Sequence, residues 1–208
     1  MEKNFYFLVL TLFLLFLNCN EDGIKIINKE KGSSYEEIIK NELAKNIRND
    51  EIFLGYKFGM SKNQFSLKTN ELLNSKVVYT DKYITYDLHI ESYKFKCTYS
   101  PEYYNDKLYR FGVSVTSDES YVTPELISTY LRISFMNKYL SDADIEKNSI
   151  LNKKIKDYIW INGNRETKII NGINDARIFY TDLIADKEKK ENELKENERK
   201  TKETINNL

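Results

Sequence analysis

Histidine is nearly missing from this chain: His89 is the single one in 208 residues, and cysteine occurs only as Cys19 and Cys97. A zinc site takes three or four His, Cys or carboxylate ligands, so one histidine and one spare thiol fall short. An excess of either charge is missing too, since 32 Lys+Arg meet 32 Asp+Glu. With no net charge there is no global attraction to nucleic acid or to an anionic surface. Glycine (7) and proline (2) are scarce, and Gly163 and Gly172 read as turn glycines rather than a phosphate cradle. No Gly-x-Ser-x-Gly elbow occurs. Asp142, Asp144 and Glu146 alternate faintly like calcium ligands, but the glycine and the distal glutamate of an EF-hand are missing. Also missing is an apolar run of about 20 residues, the length a membrane-spanning helix needs.

A shorter run is present. Phe5–Leu17 is thirteen residues, all apolar except Thr11, behind the polar start Met1-Glu2-Lys3-Asn4. That length fits the h-region of a secretory signal peptide. Signal peptidase I requires small residues before its cut, and Phe16-Leu17-Asn18 supplies none. A cysteine follows at once, then the polar Asn20-Glu21-Asp22. Phe16-Leu17-Asn18-Cys19 resembles the lipobox of bacterial lipoproteins, in the relaxed form similar to those of Bacteroidota and spirochaetes. It departs from the common pattern of Leu at −3 and a small residue at −1. The resemblance implies removal of residues 1–18, a diacylglycerol thioether on Cys19 and an acylated amino terminus, palmitate-type chains that hold a protein stably on a membrane. Asn20 at +2 lacks the inner-membrane retention signal of enteric bacteria. Glu21-Asp22 is similar to surface-export signals of Bacteroidota lipoproteins. The expected location is the outer membrane, facing the periplasm or the cell surface. A Cys19–Cys97 disulfide is the competing reading.

Residues 19–33 read as a lipidated, Lys-rich tether. A single α+β domain is expected over 34–184, opening with a helix at 34–49. Ser34-Tyr35-Glu36-Glu37 is a capping box, and Ile38, Ile39, Leu43 and Ile47 make an apolar stripe. Ser61 with Gln64 is a second capping box, Met60 and Phe65 form a hydrophobic staple, and Gly59 permits the sharp entry to a helix ending near Asn74. Three period-2 stretches follow: Ile84–Ile90, Tyr93–Tyr99 and Tyr109–Val115, with Asn105-Asp106 as a turn. Thr123-Pro124-Glu125 opens a broadly apolar helix. Residues 141–156 carry no clear pattern. Tyr158–Ile161 and Thr167–Ile170 around Asn162-Gly163-Asn164 predict a hairpin, and Arg177–Tyr180 a last strand. From Asp186 to Thr204 there are seven acids, seven bases and one apolar residue, Leu194. With no apolar stripe, 185–208 is expected as a charged helical or disordered tail. The expected fold is α+β: an antiparallel sheet, meander plus hairpins, with two or three helices packed on one face.

Chemistry-bearing residues are few. His89 lies on the polar side of its strand near Asp87 and reads as an exposed strand histidine. Cys97 shares a register with Tyr93, Phe95 and Tyr99 and reads as buried and inert. The tyrosines are the remaining candidates: Tyr86, Tyr93, Tyr99, Tyr103, Tyr104 and Tyr109 are a possible recognition surface for peptide or sugar, weighed against plain core and strand-face packing.

Phe58-Gly59-Met60-Ser61-Lys62-Asn63-Gln64-Phe65, the Tyr-rich sheet behind it, Trp160-Ile161-Asn162-Gly163-Asn164 and Tyr180-Thr181-Asp182-Leu183 together resemble small uncharacterised lipoproteins of Bacteroidota. Gly59-Met60-Ser61 entering a helix is also similar to the helix start of the small lipoprotein subunit of the outer-membrane β-barrel assembly machine. These resemblances imply no activity. The expectation is a membrane-held, non-enzymatic binding or structural module, with no cofactor and no nucleic-acid partner, engaging an envelope protein or polymer. A toxin-neutralising immunity lipoprotein and a small envelope hydrolase are the alternatives.

Overall fold

A computed structural model describes residues 25–26, 34–139, 143, 145–148 and 156–206. Cys19, residues 1–18 expected as a signal peptide and the acidic pair Asp142 and Asp144 lie outside these, as does the side chain of Glu146. Nine strands form one antiparallel sheet in the order β1-β6-β7-β8-β9-β5-β4-β3-β2. They are β1 (Lys25–Ile26), β2 (Tyr79–Thr80), β3 (Ile84–Ile90), β4 (Tyr93–Tyr104), β5 (Lys107–Thr116), β6 (Ile145–Asn148), β7 (Lys156–Asn162), β8 (Arg165–Asn171) and β9 (Ala176–Asp182). The helices are α1 (Tyr35–Ala44), α2 (Lys62–Asn74), α3 (Pro124–Tyr139) and α4 (Leu183–Asn206). The expected α+β class, with a meander, hairpins and a C-terminal helix, is the one observed.

Alternation puts one side of each strand in the core. Cys97 faces Val115, Phe111 faces Tyr180, and Val113 and Ile169 both face Ile178, so apolar rows run unbroken across β4, β5, β9 and β8. α2 and α3 cover this side. Their residues Leu72, Ile127, Leu131 and Phe135 join the same buried cluster. The loop before α2 adds Tyr56, which is wholly buried, its ring stacked on Phe65 at 4.4 Å and 5.2 Å from Phe111.

The other side of the sheet carries α1. Trp160 points to the main core, so its neighbours Ile159 and Ile161 face away, where they pack with Ile145, Leu183 and Ile38 of α1. Two helices therefore share one face as expected, and the N-terminal helix caps the opposite face.

Turns follow residue chemistry. Asn105 and Asp106 both take positive φ, +50° and +58°, as the two-residue loop of a type I′ hairpin demands. Ser61 and Gln64 make the reciprocal capping box, with bonds of 3.2 and 2.9 Å. Gly59 sits at φ +80°.

Two boundaries stand apart from expectation: Lys25–Ile26, within the stretch 19–33 expected as a tether, pair with β6 as an edge strand, and the N-terminal helix is shorter. The first helix stops at Ala44 rather than running to 49, because Lys45 caps it and Asn46 turns left-handed at φ +54°. Ile47 therefore leaves the apolar stripe and is 48% exposed.

Candidate functional site

The six tyrosines divide between the two sides of the sheet. Tyr86, Tyr93, Tyr99 and Tyr103 lie on the helix-covered side. There Tyr86 meets Phe53 edge-on at 5.5 Å, Tyr93 packs on Tyr130 at 4.9 Å, and Tyr99 lies 5.4 Å from Phe111. Tyr103 stands edge-on to Phe65 at 6.2 Å. Burial, with the Tyr56 hydroxyl beside it, drives the Tyr99 phenol well above its ordinary pKa. Burial likewise pushes Tyr103 up to about 12. Tyr104 and Tyr109 face the other way and grip α4. Asn192 donates to the Tyr104 hydroxyl, and Lys189 donates to the Tyr109 hydroxyl at 2.9 Å. Tyr109 in turn donates to Glu102 at 3.0 Å. A single tyrosine surface is thus not what these residues make: the aromatic core claims four, Tyr104 alternates to the other side, and Tyr109, expected beside Phe111, is turned away by the register shift that leaves it unpaired between Leu108 and Arg110.

His89 is exposed and stands opposite Lys94. Its neighbour Asp87 accepts from Tyr79 at 2.9 Å and pairs with Lys94 at 2.8 Å. The Lys94 bond leads in holding Asp87 below the usual carboxylate range. Cys97 is a free, fully buried thiol, pushed up to about 12 by burial. Such a thiol is a packing residue at neutral pH, since the thiolate is the nucleophile. Among the described residues, no group of three or more His, Cys, Asp and Glu is placed to hold a metal.

Among the described residues, one site-like feature is not revealed by periodicity. Residues of α1 and of the first turns of α4 together line a groove of about 620 Å³. Its floor is Tyr35, Ile39, Leu43 and Leu183, and charged side chains rim it, with Lys190 paired to Asp186 at 2.6 Å. That volume lies inside the range of small-ligand and peptide-side-chain sites. The sequence hint was partial: Ile39 and Leu43 sit on the α1 stripe, but only the fold brings Leu183 beside them.

The groove is framed by a polar latch. The Tyr35 hydroxyl donates to the buried Glu166 carboxylate, and burial with that neighbour raises the Tyr35 phenol far above its usual range. Tyr35 is therefore a neutral donor at any physiological pH. The segment after α1 is stitched to the β7–β8 turn: Asn49 N–H donates to Asn164 Oδ1 at 2.6 Å, and Asn164 N–H to Ile47 O at 3.2 Å. Leu183 N–H donates to Asn164 O at 2.8 Å, tying in the first turn of α4. Arg48 bridges to Asp182 at 3.1 Å. Gly163 makes the close approach feasible. Its φ is +58°, and a Cβ there would lie 2.3 Å from Ile47 O.

α4 leaves this base as a solvated rod. Glu196–Lys200 at 2.8 Å and Arg199–Glu203 at 3.2 Å illustrate its i,i+4 ladder. Solvent screens exposed pairs of this kind, so each adds little to the stability of the helix. Among the described residues no helix is long and apolar enough to cross a membrane.

Comparison with protein-family models, with curated proteins and with solved structures gives no match to this chain.

Proposed function

We propose that this protein is an exported envelope lipoprotein, held to the outer membrane by acyl chains on Cys19, whose domain is a non-enzymatic binding or structural module. The observation that carries the reading is the thirteen-residue apolar run Phe5–Leu17 followed directly by Cys19 and a polar stretch. The position of β1 agrees with it. Lys25 enters the sheet six positions after Cys19. At about 3.3 Å per residue, those positions span at most about 20 Å. The lipid therefore keeps the β1 edge close to the bilayer, and the groove between α1 and α4 stands on the same half of the molecule. Its apolar floor and balanced charged rim suit an amphipathic segment of an envelope protein or polymer.

Fractionation of cells producing the native chain or the Cys19→Ala variant tests the anchor. The native chain partitions with outer membranes, and the variant moves to the soluble fraction. The groove is tested separately by Ile39→Asp. This variant keeps the anchor and folds, and it loses envelope partners that the native chain captures after cross-linking. Equal soluble fractions for native and Cys19→Ala chains would remove the lipoprotein reading.

A further inference from the structure

The two edges of the sheet are unequal. β1 closes one edge, and at the other β2 pairs with β3 only at Ile84 and Thr85. Val78, just before β2, turns into the core at 1% exposure, so the chain leaves the edge there. Tyr86–Ile90 therefore has no backbone partner on its outer side among the described residues.

The hydrogen-bond phase of that free stretch follows from its surroundings. Asp81 N–H donates to Tyr83 O across the β2–β3 turn at 3.1 Å, which makes the odd-numbered residues of β3 face outward. The N–H and C=O of Asp87 and His89 are thus the groups on offer, while those of Tyr86, Leu88 and Ile90 bond to β4.

We propose that a second copy of this chain pairs antiparallel with β3 about a two-fold axis at Leu88, joining two nine-stranded sheets into one. The free stretch is self-complementary in that register and in no neighbouring one. With Leu88 on the axis, Asp87 lies opposite the second copy's His89, Tyr86 opposite its Ile90, and Leu88 opposite its Leu88. Asp87 and His89 become a hydrogen-bonded pair in the phase already set, repeated twice by symmetry. Moving the axis to Asp87 would oppose two carboxylates, which is unfavourable, and moving it to His89 would lose the Asp87–His89 pairing. Moving it by half a residue would pair outward-facing groups with inward-facing ones.

Charge continues the pattern beyond the central pair. On the solvent side β4 places Lys94 beside His89 and Lys96 beside Asp87. The row across the joint then reads Lys94, His89, the second copy's Asp87, the second copy's Lys96, so each carboxylate lies between basic groups. On the core side Tyr86, Leu88 and Ile90 already pack against the apolar cluster. Their rows continue through the joint without a polar interruption. The five free residues of one copy match the five of the other, so each β2 abuts the end of its partner's strand without displacing it. This edge is opposite β1, so the joint stands on its own geometry whether or not Cys19 is acylated.

Sedimentation of the full mature chain in detergent tests the proposal, beside His89→Pro and His89→Asp. Proline at 89 removes an N–H that points out of the sheet and none that points into it. The native chain sediments as a dimer at tens of micromolar, and both variants weaken self-association at least tenfold while keeping the native melting profile. Leu88→Cys supplies a readout that needs no purified dimer: the two-fold places the two thiols in a non-hydrogen-bonded pair, and oxidation of intact cells gives a band at twice the mass. Lys94→Cys, one strand away, gives none. A native chain that stays monomeric up to hundreds of micromolar, or that pairs equally well as His89→Pro, overturns the proposal. So would a monomer that binds only extended peptides of another protein at this edge.

Discussion

Phe111 and Glu166 sit two strands apart and face opposite sides of one sheet, and they are held by different physics. Phe111 is fully buried, with the rings of Tyr56, Phe65 and Tyr99 at 5.2, 6.1 and 5.4 Å. Its contribution is area removed from water plus contacts that no single geometry dictates. Glu166 is a buried carboxylate whose side is organised by direction: the Tyr35 hydroxyl points at it, and Arg48, Asn49 and Asn164 lock the turns around it. A buried charge is tolerated only while its partners stay in place. One side should therefore fail by degrees as volume is lost, and the other should fail abruptly when a single geometry is lost.

The sharpest test of the apolar side is Phe111→Ala. Emptying that position removes the centre of a ring cluster and should cost about 3–5 kcal/mol, read as a lowered urea midpoint with unchanged slope. Gly163→Ala should come next, at about 1–3 kcal/mol for an alanine held at positive φ. The added methyl must also push back the Ile47 carbonyl. Its signature is local: hydrogen exchange quickens in α1 and at the β7–β8 turn, while β4 and β5 stay protected. Tyr35→Phe leaves shape intact and removes the donor to Glu166, an expected loss of about 1–3 kcal/mol. Equal global loosening from all three would erase the distinction between the two sides.

A smaller effect reports on the apolar side by pH. Burial raises the Cys97 thiol from 9.0 in the unfolded chain to about 12 in the fold. The folded state then holds its proton where the unfolded state has lost it. The stability from this group is complete below about pH 9 and declines as pH rises toward 12. At neutral pH a disulfide-exchange reagent should label Cys97 only as fast as the protein opens; immediate labelling would place the thiol outside the core.

Much of this architecture is legible in the chain. β3, β4 and β5 announce themselves by alternation, because one face is buried and the other wetter, whereas the β7–β8 hairpin shows as a short run, Tyr158–Ile161, apolar on both faces and followed by an Asn-Gly turn. The Ser61–Gln64 capping box is local chemistry and forms as written. What escaped was short or cooperative. β1 and β2 are two residues each and β6 is four, too few for a period to register. α1 ends early because Asn46 adopts a left-handed turn, and the apolar Ile47 beyond it mimics a continuing stripe. The groove needed Leu183 and Ile39 to meet across more than a hundred residues. The tyrosines misled as a surface because composition counts side chains, while alternation and one register shift at Tyr109 decide which side each faces. Tyr99 and Tyr103 went to the core, and Tyr104 and Tyr109 went to α4.

Cys19 carries the proposed anchoring of this protein, and intact mass of the protein purified from its own membranes tests it directly. The expected species lacks residues 1–18 and carries a mass gain of two or three acyl chains, which alkaline hydrolysis removes in part and Cys19→Ala abolishes. A chain that keeps residues 1–18, or one cleaved elsewhere with an unmodified Cys19, would contradict it.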